Sequence, residues 1–100
     1  MATDKNFVNE FLDGLFEVRV YPMMGEYVLY CRDKVVGSIC DNRLFIKVTP
    51  VSQKLLKDFP MEPPYLGAKP HFLVETTDKS FLQDLLFAVA DGLPAPKKKK

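Results

Sequence analysis

Three strand-like segments joined by two short polar pairs constrain the fold of this chain more than any other feature of its sequence. The segments EYVLYC, KVVGSIC and RLFIKV are separated only by Arg32-Asp33 and by Asp41-Asn42. Two residues are the commonest β-hairpin loop, and Asp41-Asn42 suits the positive φ angles of such a turn better than Arg32-Asp33 does. Residues 26–48 therefore predict a meander of three antiparallel strands.

A further strand is predicted just before the meander, over residues 17–22 with the sequence EVRVYP. Pro22 lacks the amide hydrogen that a sheet ladder needs, so it belongs at a strand end or on an edge strand. Gly25 then permits the turn into the meander.

The two-residue turns also predict which side chains share a face of the sheet, because successive side chains alternate between faces. One nearly pure apolar face is expected beneath helices, and it consists of Val28, Tyr30, Val35, Gly37, Ile39, Leu44, Ile46 and Val48. The other face is mixed, with an apolar centre and a basic rim, and it consists of Tyr27, Leu29, Cys31, Lys34, Val36, Ser38, Cys40, Arg43, Phe45 and Lys47.

The first and last helices are predicted from apolar residues that recur at helical spacing over 4–16 and 78–91. Asp78 is the expected N-cap of the last helix, and Gly92 is expected to stop it. A strand is predicted over 71–75, with the sequence HFLVE.

A middle helix is predicted from Thr49-Pro50, because Thr caps a helix well and Pro is favoured at the first helical position. It is expected to run to about residue 59 and to bury Val51, Leu55, Leu56 and Phe59. Residues 60–70 hold four prolines and a glycine and predict an extended loop, with a short strand near Tyr65 and Leu66. The element order α-β-β-β-β-α-β-α defines an α+β fold.

One hundred residues are enough for a single domain, which we expect to span 1–93, followed by a disordered Pro/Lys-rich tail over 94–100. Without the four lysines of the tail, the net charge of +1 becomes −3, which disfavours a phosphate-binding surface. No apolar run approaches the ~20 residues that span a bilayer. The N-terminus has no apolar core of a signal peptide, so no membrane association and a cytoplasmic location are expected.

The sequence contains few residues in patterns that indicate catalysis, metal binding or disulfide formation. Cys31 and Cys40 are expected about 20 Å apart along the meander, too far for a disulfide. His71 is the single histidine, and no nucleophile elbow, glycine-rich phosphate loop or zinc-ligand spacing occurs. We therefore predict no catalytic residues, no metal site, no cofactor and no enzymatic activity.

The mixed sheet face and the Met23–Tyr27 corner predict an interaction surface, because an exposed apolar patch on a small domain often marks an interface. The predicted interface consists of Met23, Met24, Tyr27, Leu29, Val36 and Phe45, with a homodimer as the expected assembly. Two alternatives remain at this point. The loop over 60–70 covers the patch, or the two methionines fill the edge of the core.

Nucleic-acid binding is the second functional hypothesis, and it would use the basic side chains Lys34, Arg43, Lys47, Lys97, Lys98, Lys99 and Lys100. A small-ligand binder or an enzyme is the third, and it would need a polar pocket around His71 or Tyr65.

The stretch MMGEYVLYCRDKVVGSICDNRLFIKVT resembles the core of the TfoX N-terminal domain family, which shows K-M-F-G-x-Y-G-(I/L)-Y, then D-G and D-(D/N)-x-L-(F/Y)-(L/V)-K. PPYLGAKPHFLVE resembles its P-Y-x-G-x-x-P segment, and LPAPKKKK resembles the lysine-rich ends of its short members. The likeness runs from about residue 7 to the end. Met24, Val28 and Arg32-Asp33 depart from the pattern, where the family has Phe, Gly and Asp-Gly.

This resemblance implies a two-layer fold, an antiparallel sheet packed by helices as in the secretion-chaperone-like folds. It further implies a bacterial regulatory or adaptor module linked to DNA-uptake competence and acting through a protein partner that is not identified. Full-length competence regulators carry a second, helical domain after this point. The family offers no catalytic residues to transfer.

Overall fold

A computed structural model describes residues 3–94 of the chain. Six strands form one antiparallel sheet, and they are β1 (Val18–Met23), β2 (Glu26–Cys31), β3 (Lys34–Cys40), β4 (Arg43–Ile46), β5 (Met61–Glu62) and β6 (His71–Val74). Their order across the sheet is β1-β2-β3-β4-β6-β5. Three helices complete the described part of the chain, and they are α1 (Lys5–Leu12), α2 (Pro50–Leu55) and α3 (Lys79–Asp91).

The three hairpins that join β1 to β4 each close through two residues with positive φ, including the pair Met24-Gly25 between β1 and β2. Arg32 and Asp33 adopt φ angles of 52° and 65°, although neither is a preferred residue for this conformation. The predicted pairings of Cys31 with Lys34 and of Cys40 with Arg43 are confirmed. The meander itself is therefore as the sequence predicts.

A β-bulge in β3 changes the face assignment that the sequence predicts. Tyr30 pairs with Val35, but Leu29 pairs with Gly37 rather than with Val36. Val36 is thus the extra residue, and it lets both halves of β3 place apolar side chains beneath the helices. On β2, the face turned to the helices consequently carries Leu29 and Cys31, not Val28 and Tyr30 as the sequence predicts.

The helices lie on one face of the sheet and form the main core with it. Leu82, Leu85, Leu86 and Val89 of α3 are buried against apolar side chains of β2, β3, β4 and β6. Val8 and Phe11 of α1 join the same cluster. The α+β, two-layer antiparallel fold predicted from the sequence is confirmed.

The helix ends are set by local polar contacts. The Thr49 hydroxyl accepts from the amide of Ser52 at 3.0 Å, and the Ser52 hydroxyl accepts from the Thr49 amide, which makes a capping box. Asp78 caps α3 through the amide of Phe81, as predicted. Gly92 ends α3 with a φ of −83°, and its lack of a side chain matters because a Cβ there would lie 2.6 Å from Val51 Cγ2.

Two lysines fix the C-terminal ends of helices from neighbouring elements. Lys79 donates to the carbonyl oxygens of Glu10, Phe11 and Asp13 at the end of α1. Lys34 of β3 donates to those of Ala90 and Leu93 at the end of α3, at 2.8 and 3.0 Å. Each ammonium satisfies carbonyls that a helix end leaves free, and its charge complements the helix dipole.

Several predicted boundaries are wrong. Helix α1 ends at Leu12 rather than at residue 16. Gly14, just after this end, has a positive φ of 85°. Helix α2 stops at Leu55, whose side chain is exposed rather than buried. The short strand of the proline-rich segment is Met61–Glu62, four residues before the predicted position at Tyr65 and Leu66.

Candidate functional site

The face of the sheet opposite the helices, here called the second face, contains two cavities. By the observed register, it carries Arg19, Tyr21, Met23, Glu26, Val28, Tyr30, Val35, Ser38, Cys40, Arg43, Phe45, His71 and Leu73. Within residues 3–94, the buried cluster on this side contains no helix residue. The segment 63–67, between β5 and β6, lines a cavity here together with Arg43.

One half of the second face is closed. Phe45 is fully buried and forms a small cluster with Cys40 and Leu73. The guanidinium of Arg43 lies over the Phe45 ring, 5.3 Å from its centroid, and donates to Glu62 at 2.9 Å. Pro64 is buried and lines a cavity beside Arg43, which agrees with the alternative in which the proline-rich loop covers part of the predicted patch.

The other half is open and contains two cavities that share Glu26 and Tyr65 in their walls. The first has a volume of about 460 Å³ and an apolar lining that includes Met23, Met24, Val28 and Cys40. The second has a volume of about 430 Å³ and is lined by Glu26, Asp41, Arg43, Pro63, Pro64, Tyr65, Leu66 and Gly67. We call the two joined cavities the trough.

The walls of the trough carry some of the most exposed apolar side chains of the described residues. Met24 and Leu66 are 98% and 101% exposed, and Met23 and Tyr65 are 54% and 64% exposed. They come from two separate segments, the β1–β2 turn and the loop after β5. Four such side chains around one depression are more than the scattered apolar residues of an ordinary surface.

The polar end of the trough is negatively charged. Glu26 accepts hydrogen bonds from the hydroxyl of Thr3 at 2.6 Å and from the amide of Asp41 at 3.1 Å, which are neutral donors. Within residues 3–94, neither Glu26 nor Asp41 has an ion-pair partner. Arg43 is paired with Glu62, so its charge is already compensated.

The trough does not bring together the thiol of Cys40 and the imidazole of His71. Burial raises the pKa of the Cys40 thiol, and the contact with Ser38 opposes that rise only in part. A thiol held neutral in this way is a poor nucleophile. His71 lies outside both cavities, and its Nδ1 is within 2.9 Å of the Lys69 carbonyl oxygen.

The predicted interface is only partly on the surface. Leu29 and Val36 lie in the core beneath the helices. The bulge at Val36 shifts the pairing so that Leu29 lies opposite Gly37, on the helix side of the sheet. Phe45 is on the second face as predicted but is fully buried. Tyr27 packs against the main core and reaches the trough from there. Met23 and Met24 alone are largely exposed.

Val28, Tyr65 and Leu66 are absent from the interface that the sequence predicts. A regular ladder, without the bulge, would place Val28 on the helix-covered face. Tyr65 and Leu66 stand between two prolines and a glycine, a composition that indicates a rigid, exposed loop and could have identified them.

The basic residues of the nucleic-acid hypothesis do not gather on one surface. Lys34 lies on the helix side and is engaged with helix carbonyls, whereas Arg43 is on the second face and is paired with Glu62. Lys47 donates to the Val35 carbonyl oxygen at 3.5 Å. Residues Lys97, Lys98, Lys99 and Lys100 lie outside the described residues, as does most of the predicted tail.

The two cysteines are unpaired, as the sequence predicts. Cys31 lies in the helix-covered core and Cys40 in the cluster on the second face, so the sheet itself separates them. Within residues 3–94, no three His, Cys, Asp or Glu side chains are grouped to hold a metal ion. None of the helices described is long and apolar enough to cross a membrane.

Both edges of the sheet are poorly suited to pairing with another strand. The Arg32 amide donates to the Glu17 carbonyl at 3.0 Å. In the alternating ladder, Val18, Val20 and Pro22 therefore turn their backbone groups outward. Pro22 has no amide to offer, and at the other edge β5 is two residues long between Pro60 and Pro63. Val18 and Val20 leave backbone groups available, but the missing amide of Pro22 and the shortness of β5 make a face of the sheet the better contact surface.

Comparisons with known proteins identify one relationship. No family model matches the chain, and no solved structure matches it. The chain is 38% identical over 105 aligned residues to the "Uncharacterized 12.7 kDa protein in trpE 5'region" of Spirochaeta aurantia, an alignment that covers 100% of this chain and 91% of that protein. With that identity over its whole length, the chain belongs to the same family as this spirochaete protein.

Proposed function

We propose that this protein is a non-enzymatic regulatory or adaptor module that acts through protein–protein contact at the trough. The observation that carries the proposal is the exposed apolar wall of the trough, where Met24 and Leu66 are almost wholly accessible. Exposing such side chains costs solubility, and an interface that buries them would recover ~1.5–3 kcal/mol for each large side chain before association costs.

The trough also has the mixed character of a recognition site. Its apolar end provides surface area that a partner can bury. Its acidic end, with Glu26 and Asp41, provides charges that can orient the partner. The backbone beneath the wall is a two-residue turn on one side and a proline-rich loop on the other, which limits the backbone ordering needed on binding. A rigid apolar depression with a few charges suits a regulatory contact better than bond-making chemistry.

The TfoX N-terminal type remains the family assignment that we propose beyond the spirochaete relative, and a competence link is the regulatory role it would suggest. Both rest on the motif resemblance alone. Homodimerisation is a second form of the contact proposal, and the exposed Met24 and Leu66 are the observation that favours it over a dimer through Phe45.

Photo-crosslinking in the cells that naturally make the protein would test the contact proposal. A photoreactive phenylalanine analogue replaces Leu66 in one variant and Leu55, an exposed residue of α2 away from the trough, in the control. We expect a discrete protein adduct from position 66 and none from position 55. Adducts of equal yield at both positions, or adducts to nucleic acid alone, would contradict the proposal.

A further inference from the structure

The spacing of charge and apolar surface in the trough indicates what kind of segment it binds. Glu26 and Val28 are two residues apart on β2 and face the same side, so their side chains start about 6.6 Å apart. An acidic group and an apolar floor are thus separated by one repeat of an extended chain.

We propose that the trough binds an extended peptide segment in which a large apolar side chain and a Lys or Arg are two residues apart. This inference rests on the proposed contact function and names the chemistry of the partner. In an extended segment, side chains at i and i+2 point to the same side with the same repeat of about 6.6 Å. The apolar side chain enters between Met24 and Val28, and the cation reaches Glu26 and Asp41.

Charge decides between a basic partner and the other occupants. The acidic end carries two carboxylates that have no ion-pair partner within residues 3–94. A nucleic acid would bring further negative charge to this end. A second copy, docked face to face about a two-fold axis, would bring its own Glu26 and Asp41 toward the same groups, and like charges across an interface are costly.

The edges of the sheet favour recognition of the segment through its side chains rather than through its backbone. Pro22 removes one amide from the β1 edge, and β5 is only two residues long between prolines, so neither edge offers an uninterrupted ladder to the segment. Recognition by side-chain pockets above the second face fits this arrangement better. The two cavities supply one pocket for each of the two side chains.

Fluorescence anisotropy with synthetic peptides tests the inference on the full chain. The probe is labelled Gly-Ser-Leu-Ser-Lys-Ser-Gly, and its controls carry Glu in place of Lys, or Lys directly beside Leu. We expect binding of the probe that weakens as salt is raised, because its cation is partly solvated. The Glu peptide should not bind, and the peptide with adjacent residues should bind more weakly.

Three variants of the protein locate the binding. Met24→Asn removes the apolar wall while Asn-Gly suits the turn, and we expect about a tenfold loss of affinity or more. Asp41→Asn keeps the shape and a residue that tolerates the φ of 53°, and we expect about a two- to fivefold loss. Leu55→Gln is the matched exposed control, and the affinity should not change.

Binding that ignores the charge of the peptide, or that survives both Met24→Asn and Asp41→Asn, would overturn the inference. So would a wild-type dimer, measured by light scattering, that Met24→Asn converts to monomer, because a second copy would then be the occupant. In that last case, or if position 66 crosslinks a protein that lacks the pattern, the contact function stands and only this inference fails.

Discussion

The two faces of this sheet are covered in different ways. The helix side is closed by α1, α2 and α3 over a continuous core from β2 to β6. The second face is closed around Phe45, where the Arg43 side chain lies over the ring and the proline-rich loop lines the adjoining cavity. Secondary structure that packs side chain into side chain seals a face completely, whereas a loop leaves part of it accessible.

The difference also separates stability from function. The core side chains on the helix side are fixed by neighbours on both layers and are inaccessible to a partner. The open end of the second face has exposed apolar residues and two carboxylates without an ion-pair partner within residues 3–94, and a contact can be made from these. Variants that compare equivalent residues on the two faces therefore test the account.

The largest expected contrast is between Leu29→Ala on the helix side and Leu73→Ala on the second face. Both side chains are nearly inaccessible. We expect Leu29→Ala to lower the free energy of unfolding by about 3–5 kcal/mol and Leu73→Ala by about 2–3 kcal/mol, because a loop can settle into a cavity more easily than a helix can. Urea denaturation measures both. Equal losses would mean that the two covers are equally rigid.

Gly37→Ala probes the close approach of β3 and β4. An added Cβ would overlap the carbonyl oxygen of Phe45, which belongs to the strand backbone and cannot rotate away. We expect a loss of about 3 kcal/mol, at the upper end for overpacking, and a disturbed cluster on the second face. Thermal unfolding checks the stability, and near-ultraviolet circular dichroism checks the packing. A variant as stable as wild type would contradict the close approach of β3 to β4.

The polar contacts on the helix side should also contribute more to stability than those on the second face. Lys79→Met removes hydrogen bonds to three carbonyls of α1, and we expect a loss of about 2 kcal/mol. Glu62→Gln weakens the partly exposed pair with Arg43, and we expect a loss below about 1 kcal/mol. Chemical denaturation at low and high salt distinguishes them. A larger loss from Glu62→Gln would reverse the comparison.

Each face contains one buried thiol, and pH tests both. Burial raises the pKa of Cys31 and of Cys40 above 9.0, so the folded protein keeps both thiols protonated where the unfolded chain ionises. Stability from this source is complete below the unfolded pKa and falls as the pH rises toward the folded values, by up to about 1.4 kcal/mol per pH unit and thiol. Urea titrations at pH 7.5 and 9.5 measure it.

The matched control for the pH effect is the pair of variants Cys31→Ala and Cys40→Ala. Each should have a flatter pH dependence than wild type, because one ionisable group is lost from the unfolded chain. A decline above pH 9 that neither variant reduces would show that the thiols do not cause it.

The smallest expected effect is a gain. Met24 has a φ of 54° in the β1–β2 turn, where Asn is more easily accommodated. We expect Met24→Asn to raise the free energy of unfolding by about 0.5 kcal/mol while it weakens binding in the trough. Differential scanning calorimetry measures the gain. A loss of stability would indicate that Met24 packs against the domain instead of facing solvent.

Local signals in the sequence predicted the elements well. Thr49-Pro50 and Asp78 marked two helix starts because capping is decided by adjacent residues. The hairpin turns followed from their length, even at Arg32-Asp33, where the composition is unfavourable. Pro22 was expected at a strand end or an edge, and it lies in an edge strand.

The faces of β2 were not predictable by the same means. Val35 and Val36 are adjacent and equally apolar, so the sequence does not indicate which of them turns toward the core. The choice depends on packing against α3, which is far away in the chain. The bulge that results moved Leu29 and Val36 out of the predicted interface and brought Val28 into the trough.

The most direct test of the account is the solvent accessibility of valine and leucine methyl groups, measured by NMR with a soluble paramagnetic agent. The two faces differ at adjacent residues of β2, where Val28 lines the trough and Leu29 is fully buried. We predict strong relaxation of the Val28 methyl signals and protection of those of Leu29 and Val36. Protected Val28 methyls, together with relaxed Leu29 and Val36 methyls, would contradict the bulge, the closed helix side and the trough.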